Sequence, residues 1–157
     1  MQSTFPLRSA TNADGEAIRA RISTVLREFG LEPDPAGTDA DLADIESSYL
    51  RAGGSFDVLL NEVGKIVGTV GLFPLGNGCC ELRKMYLAAD CRGHGLGKRL
   101  LEHALDCARQ LGFKRVELKT ASVLVAAGKL YEAFGFRPLP LDHATARYDR
   151  ALCLDLV

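Results

Sequence analysis

The chain has 157 residues, 47% hydrophobic and 25% charged, the proportions of an ordinary soluble globular protein with room for one domain (1–157) and a core that needs no staple. No apolar run approaches the roughly 20 residues that span a bilayer, and Met1-Gln2-Ser3-Thr4-Phe5-Pro6 lacks the basic and apolar regions of a signal peptide. The five cysteines (79, 80, 91, 107 and 153) form no C-x-x-C pair and show no metal-ligand spacing, so free thiols in a reducing cytoplasm and no metal are expected.

A net charge of −1 hides an asymmetry. Residues 1–77 hold 6 Lys and Arg against 11 Asp and Glu, whereas residues 78–157 hold 13 against 9. The second half therefore suits an anionic ligand and the first half a cationic one. No dense basic run carries interleaved aromatics, which argues against nucleic acid as a partner.

In chain order, residues 3–8 read as a short strand. Thr11-x-x-Asp14 is a helix start, with a hydroxyl to cap and a carboxylate near the positive end. Ile18, Ile22, Val25, Leu26 and Phe29 follow at helical spacing until Gly30 stops the helix. An acidic, proline-broken loop (31–37) leads to a second start, Thr38-x-x-Asp41, and a helix carrying Leu42, Ile45, Tyr49 and Leu50. Strands at 56–61 and 65–73 flank the turn Glu62-Val63-Gly64, and Gly76-Asn77-Gly78 leads into a strand at 79–87. A glycine-rich turn then opens a helix striped with Leu96, Leu100, Ala104, Cys107 and Leu111 and ended by Gly112. A strand at 116–119, a helix at 123–134 closed by Gly135, and strands at 136–139 and 150–156 complete an α/β (α+β) domain with a mixed sheet.

The glycine turn, Arg92-Gly93-His94-Gly95-Leu96-Gly97, sits between a strand and a helix. A helix start presents unpaired N–H groups and partial positive charge, glycines admit close approach, and Arg92, Lys98 and Arg99 add full charges, so the turn suits a phosphate. A Walker A loop fails twice: Arg92 stands at the first glycine position and Arg99 where the Mg²⁺-binding hydroxyl belongs. The spacing of Gly93, Gly95 and Gly97 also fails the G-x-G-x-x-G dinucleotide fingerprint.

The same residues match the (Gln/Arg)-x-x-Gly-x-(Gly/Ala) signature of the GNAT superfamily of acyl-CoA N-acyltransferases. Two further segments resemble that family in the right order: Glu81-Leu82-Arg83-Lys84-Met85-Tyr86-Leu87 its fourth strand, and Leu130-Tyr131-Glu132-Ala133-Phe134-Gly135-Phe136 its last helix and turn. The resemblance implies a mostly antiparallel sheet flanked by helices, splayed into a V between strands 4 and 5. It implies acetyl-CoA as acyl donor, held by the backbone of Met85, Tyr86 and Leu87, by Arg92, Gly93, His94, Gly95, Leu96, Gly97 and Lys98, and by Thr120 and Lys129.

By the same resemblance Glu81 is the base that takes the amine proton, and Tyr131 the acid that protonates the leaving thiolate. Glu81 reads equally as a surface carboxylate at a strand start, and Tyr131 as an aromatic core residue. Leu124 replaces an asparagine that touches the cofactor in many relatives, leaving that contact to Thr120 or Ser122. Gly128 replaces a helix former and costs about 1 kcal/mol unless a close approach compensates. His94 and His143 read as exposed loop histidines. The implied partner is a small-molecule or peptide amine, with neither nucleic acid nor membrane, and a homodimer is left open. The resemblance puts the run from residue 28 to 50, which holds no Lys or Arg, over the acceptor end of the cleft, where it reads either as a field that favours a cationic acceptor or as a solvated acidic face. A non-catalytic CoA-binding module on the same fold is the alternative.

Overall fold

The computed structural model describes residues 4–156. Seven strands form one sheet in the order β1-β2-β3-β4-β5-β7-β6. They are β1 (Leu7–Ser9), β2 (Ser55–Leu60), β3 (Ile66–Gly76), β4 (Cys79–Leu87), β5 (Arg115–Thr120), β6 (Arg137–Leu139) and β7 (Arg150–Asp155). Every neighbouring pair is antiparallel except β4 and β5, so the sheet is mixed but mostly antiparallel, as expected. The expected first strand begins at Ser3, which lies outside the described residues.

Helices cover both faces. Helix α1 (Gly15–Glu28) turns Ile18, Ile22 and Leu26 onto one face, where Leu42, Ile45, Tyr49, Phe56 and Val58 complete a core layer. Helices α2 (Leu96–Gln110) and α3 (Val125–Ala133) cover the other, burying Leu100, Leu101, Ala104, Leu105 and Tyr131 against Val70, Leu82, Val116 and Leu118. Both stripes follow the apolar spacing of the sequence.

The second helix is corrected. Residues 38–50 form a 3-10 turn (Ala40–Ala43) and one π turn (Glu46–Leu50), not a continuous α-helix. Asp41, expected near the helix start, accepts from the Tyr49 hydroxyl instead. Asp39 accepts the N–H of Asp34 at 2.8 Å, and Asp34 accepts that of Thr38 at 2.9 Å, which closes the acidic loop on itself. Helix α3 starts at Val125 rather than at residue 123, so Val123 and Leu124 belong to the turn before it. At Gly128 a Cβ would lie 3.2 Å from the Arg150 guanidinium, so a larger residue there needs that side chain to shift by a few tenths of an ångström.

Candidate active site

The parallel pairing of β4 and β5 runs from Cys79↔Arg115 to Leu82↔Leu118 and stops. Beyond that rung the strands diverge, which opens the expected V. Part of the cause lies on the other side of β4. Thr69 pairs with Tyr86 and Gly71 with Arg83, so Lys84 and Met85 together face Val70 in a bulge. Lys84 takes a left-handed φ of 57°, uncommon for a residue with a side chain, and the Thr69 hydroxyl donates to its carbonyl at 2.6 Å. A bulge re-aims the strand, and here it turns residues 84–87 away from β5 and leaves their outer backbone edge without a strand partner.

Two cavities meet in the V. An apolar groove of about 220 Å³ runs along Met85, Tyr86 and Leu87, past Phe29, Leu124, Ala126, Ala127 and Leu130, to Arg92, Gly93 and Gly97. A polar cleft of about 280 Å³ takes in Glu81, Arg83, Lys84, Lys119, Thr120, Tyr131, Arg147 and Tyr148. Met85, Tyr86 and Leu124 line both, so the groove and the cleft are continuous.

At the far end of the groove, α2 begins on the glycine turn. Gly95, at φ 79°, is the residue before the helix, in a backbone conformation that costs glycine little. The first main-chain bond into the helix is the Arg99 N–H to the Gly95 carbonyl at 3.1 Å, so the amides ahead of it open onto the turn. Arg92 departs from expectation. Its guanidinium folds back to donate to the Leu87 carbonyl (Nε 3.1 Å, Nη2 2.8 Å) and to pair with Glu28 at 2.9 Å, stacked above Phe29. It braces the end of β4 against α1, and its charge is already matched. His94, Lys98 and Lys129 are exposed and line neither cavity, Lys98 facing Glu102 at 3.8 Å, while the Leu96 side chain is core.

The polar cleft rests on an ion cluster. Lys84, its side chain only 4% exposed, donates to Asp39 at 2.5 Å and to the Thr38 carbonyl at 2.9 Å, with Asp41 at 3.5 Å. Arg147 grips Asp39 from the other side at 2.5 and 3.0 Å and reaches the Tyr86 hydroxyl at 3.3 Å. Burial opposes ionisation of Asp39, but the hydrogen bonds from Arg147 and Lys84 outweigh it and lower its pKa to about 2. Asp41 accepts from the buried Tyr49 hydroxyl and lies 3.6 Å from Arg83. Burial, with the Asp41 charge next, pushes the Tyr49 phenol far up.

Glu81 lines the cleft and is paired with Arg83, whose guanidinium stacks 3.8 Å from the Phe73 ring centre. Tyr131 is buried, with its ring edge-on to Phe136 at 5.6 Å between centres, and its hydroxyl has no hydrogen-bond partner among the described residues. Burial raises its pKa well above the usual phenol value, with the neighbouring Tyr86 adding to the shift, so the proton stays on. Thr120 is buried at the cleft wall, whereas Ser122 is occupied by Asp149 through its N–H (2.8 Å) and hydroxyl (3.0 Å). His143 is exposed and borders an adjoining hollow of about 160 Å³ that also touches Glu81 and Lys119.

Glu81, Tyr131, Thr120 and the backbone of 85–87 are thus brought together, and the glycine turn closes the far end of the groove. Sequence reasoning missed Asp39, Lys84 and Arg147 as a unit. Their separations, 45 residues from Asp39 to Lys84 and 108 from Asp39 to Arg147, leave no local signal. It also misjudged the acidic segment. The two acids nearest the cleft are held by Lys84, Arg147 and Arg83, while Glu32, Asp34, Asp44 and Glu46 line no part of it. A separate trio, Asp57, His103 and Cys107, joins β2 to α2: His103 Nε2 lies 2.9 Å from Asp57 Oδ2 and 3.5 Å from Cys107 Sγ. The i, i+4 spacing of His103 and Cys107 sets both on one face of α2, whereas Asp57 joins them from 46 residues away. Among the described residues no helix is long and apolar enough to cross a membrane.

Comparison with known proteins agrees with this geometry. The model of the Acetyltransferase (GNAT) family matches residues 20–136. An uncharacterized N-acetyltransferase of Escherichia coli, YjgM, is 39% identical over 83% of this chain and 80% of its own. Among solved structures, an acetyltransferase of the GNAT family from Staphylococcus aureus Mu50 superposes with a TM-score of 0.89 at 26% identity, over 98% of this chain and 100% of its own. At 22% identity and a TM-score of 0.74, the fold is also shared with yncA, a putative acetyltransferase from Salmonella typhimurium solved with its cofactor acetyl-CoA, over 99% of this chain and 95% of that one. With a splayed β4–β5 pair, a glycine turn at a helix start and these relatives, the chain belongs to the GNAT family of acetyltransferases and is an N-acetyltransferase.

Proposed function

We propose that the chain works as one acyltransferase domain that transfers the acetyl group of acetyl-CoA to a primary amine by direct attack within a ternary complex. The observation that carries this reading is the continuity of the apolar groove with the polar cleft at Met85, Tyr86 and Leu124. A long donor with an anionic head and an apolar arm fits that shape. Its pyrophosphate would meet the open amides of the glycine turn, where a helix start favours anions. Its arm would lie along the unpaired edge of residues 84–87, in effect as an added strand. Acetyl-CoA, the cofactor named for the Salmonella fold relative, supplies the activated thioester when bound.

The chain's own groups then move two protons. Glu81, at the cleft wall, takes a proton from the amine directly or through water, because an ammonium has no lone pair with which to attack. The amine nitrogen forms its bond to the acetyl carbon as the carbon–sulfur bond breaks, and the second proton of that nitrogen passes through water to the Tyr131 oxygen, replacing the one Tyr131 gives to sulfur. Tyr131, held protonated by burial, gives its hydroxyl proton to the departing sulfur. A main-chain N–H on the free edge of β4 would stabilise negative charge on the thioester oxygen.

Thiol release from acetyl-CoA, measured with and without a panel of amines, tests the reading. Amine-dependent release is expected. Binding of acetyl-CoA with no release from any amine would favour the non-catalytic module instead.

A further inference from the structure

The walls of the polar cleft carry four cationic side chains, Arg83, Lys84, Lys119 and Arg147, against one carboxylate, Glu81. Behind them stand Asp39 and Asp41. Each of these three acids is already in contact with an arginine or a lysine: Glu81 with Arg83, Asp39 with Lys84 and Arg147, and Asp41 with Arg83 and Lys84. Lys119 alone of the four cations has no carboxylate within 4.0 Å among the described residues, and its ammonium lies 5.0 Å from the centre of the Tyr148 ring. The seven groups together carry one excess positive charge when all are ionised. Within the cleft an incoming cation therefore finds no carboxylate without a cationic partner, whereas an incoming carboxylate finds an unmatched ammonium; two further acids, Glu117 (paired with Arg115) and Asp142, border only the adjoining hollow.

The place of Lys119 sharpens this. It is the first residue of β5 beyond the last paired rung, Leu82↔Leu118, so it stands at the fork of the V. Strand alternation sets it on the same sheet face as Glu117, whose register partner is Glu81. Glu81 and Lys119 both border the polar cleft and the adjoining hollow, with Tyr148 at the edge of each. A compact molecule can thus bring an amine to Glu81 while its acid group meets Lys119.

We infer that the acceptor is a small amine that carries a carboxylate, of the α-amino-acid type, and that Lys119 is the residue that selects for it. This rests on the acyltransferase reading above and names its substrate class. It reverses the expectation drawn from the acidic segment at 28–50, since the acids of that segment nearest the cleft are spent on Lys84, Arg83 and Arg147.

The test is steady-state thiol release from acetyl-CoA with matched pairs, each an L-amino acid and the amine left by removing its carboxylate. L-Phenylalanine with phenethylamine and L-lysine with cadaverine extend a panel of the common amino acids. The amino acid of the best-used pair is expected to have a kcat/KM at least about tenfold above its amine, equivalent to about 1.4 kcal/mol. Lys119→Met is expected to shrink that ratio at least about tenfold, chiefly through KM, and Lys119→Arg to restore most of it. Lys119→Glu should move the preference toward the diamine. Equal or better use of the decarboxylated amines by the unaltered enzyme overturns the carboxylate assignment while acyl transfer stands. The same holds for a Lys119→Met loss that falls equally on both members of a pair. Absence of thiol release with every member, from folded protein, overturns the acyltransferase reading and this inference with it.

Discussion

Replacing Asp39 by asparagine removes the charge on which two buried cations converge. Its carboxylate lies 2.5 Å from Lys84 Nζ and 2.5 Å from Arg147 Nη1, with side-chain exposures of 4% and 9% for the two cations. What remains nearby is Asp41, 3.5 Å from Lys84 and already shared with Tyr49 and Arg83. Breaking a buried ion pair from one side costs about 3–5 kcal/mol, because the partner charge stays buried without compensation. For a chain of this size that is a fall in Tm of about 6–20 °C.

The pH dependence gives a second handle on the same residue. Asp39 has a folded pKa of about 2 against an ordinary aspartate value of 3.8, so its contribution is present above about pH 5 and fades as pH falls toward 2. Integrated, that shift is worth on the order of 2 kcal/mol, of which about 1 kcal/mol is gone by pH 3. Urea unfolding of the wild type and Asp39→Asn at pH 7 and pH 3 should show a large gap at pH 7 that narrows by about that amount. Equal stability at pH 7, or a gap that does not change with pH, would refute the assignment of Asp39 as the centre of the cluster.

Tyr131→Phe keeps the ring against Phe136 and loses a hydroxyl without a protein partner, so Tm should barely move while kcat falls about 10²–10⁴-fold with acetyl-CoA affinity retained. Parallel loss of binding would make Tyr131 a packing residue. Glu81→Gln should lower kcat about 10²–10⁴-fold with acetyl-CoA affinity retained, and an unchanged kcat assigns the amine proton to another acceptor. Gly95→Asp places a negative charge at a helix start, in a left-handed conformation, and should weaken acetyl-CoA binding at least about tenfold by calorimetry. Unchanged affinity would remove the glycine turn from the donor site.

Local chemistry carried most of the fold. Periodicity marked α1 and α2 because each buries one apolar stripe, and the glycines at 93 and 95 marked the turn because both take left-handed φ there. Glu81 and Tyr131 were visible only through motif order, since neither a lone glutamate on a strand nor a lone tyrosine on a helix announces chemistry. The segment at 38–50 defeated periodicity. Its Leu42, Ile45 and Tyr49 are all buried as a helix would bury them, but Asp39 and Asp41 are pulled toward Lys84 and the backbone follows in 3-10 and π turns. The same contacts changed the electrostatic reading: Asp39, which looked free in sequence, is neutralised by residues 45 and 108 positions away. Arg92 was read as a phosphate ligand from its place beside the turn, yet the Leu87 carbonyl and Glu28 hold it. Long-range ion pairing is the part of this site that the order of residues does not show.

In the proposed ternary complex the fork between β4 and β5 receives the donor, with its arm along residues 84–87 and its anionic head at the start of α2. Amide hydrogen exchange of the full chain, with and without saturating acetyl-CoA, tests this most directly. Exchange should slow at residues 85–87 and 93–98 together, with little change at β1, at β6 or around Asp57 and His103. Slowing confined to those outlying regions, with the fork and the glycine turn unaffected, would contradict the account.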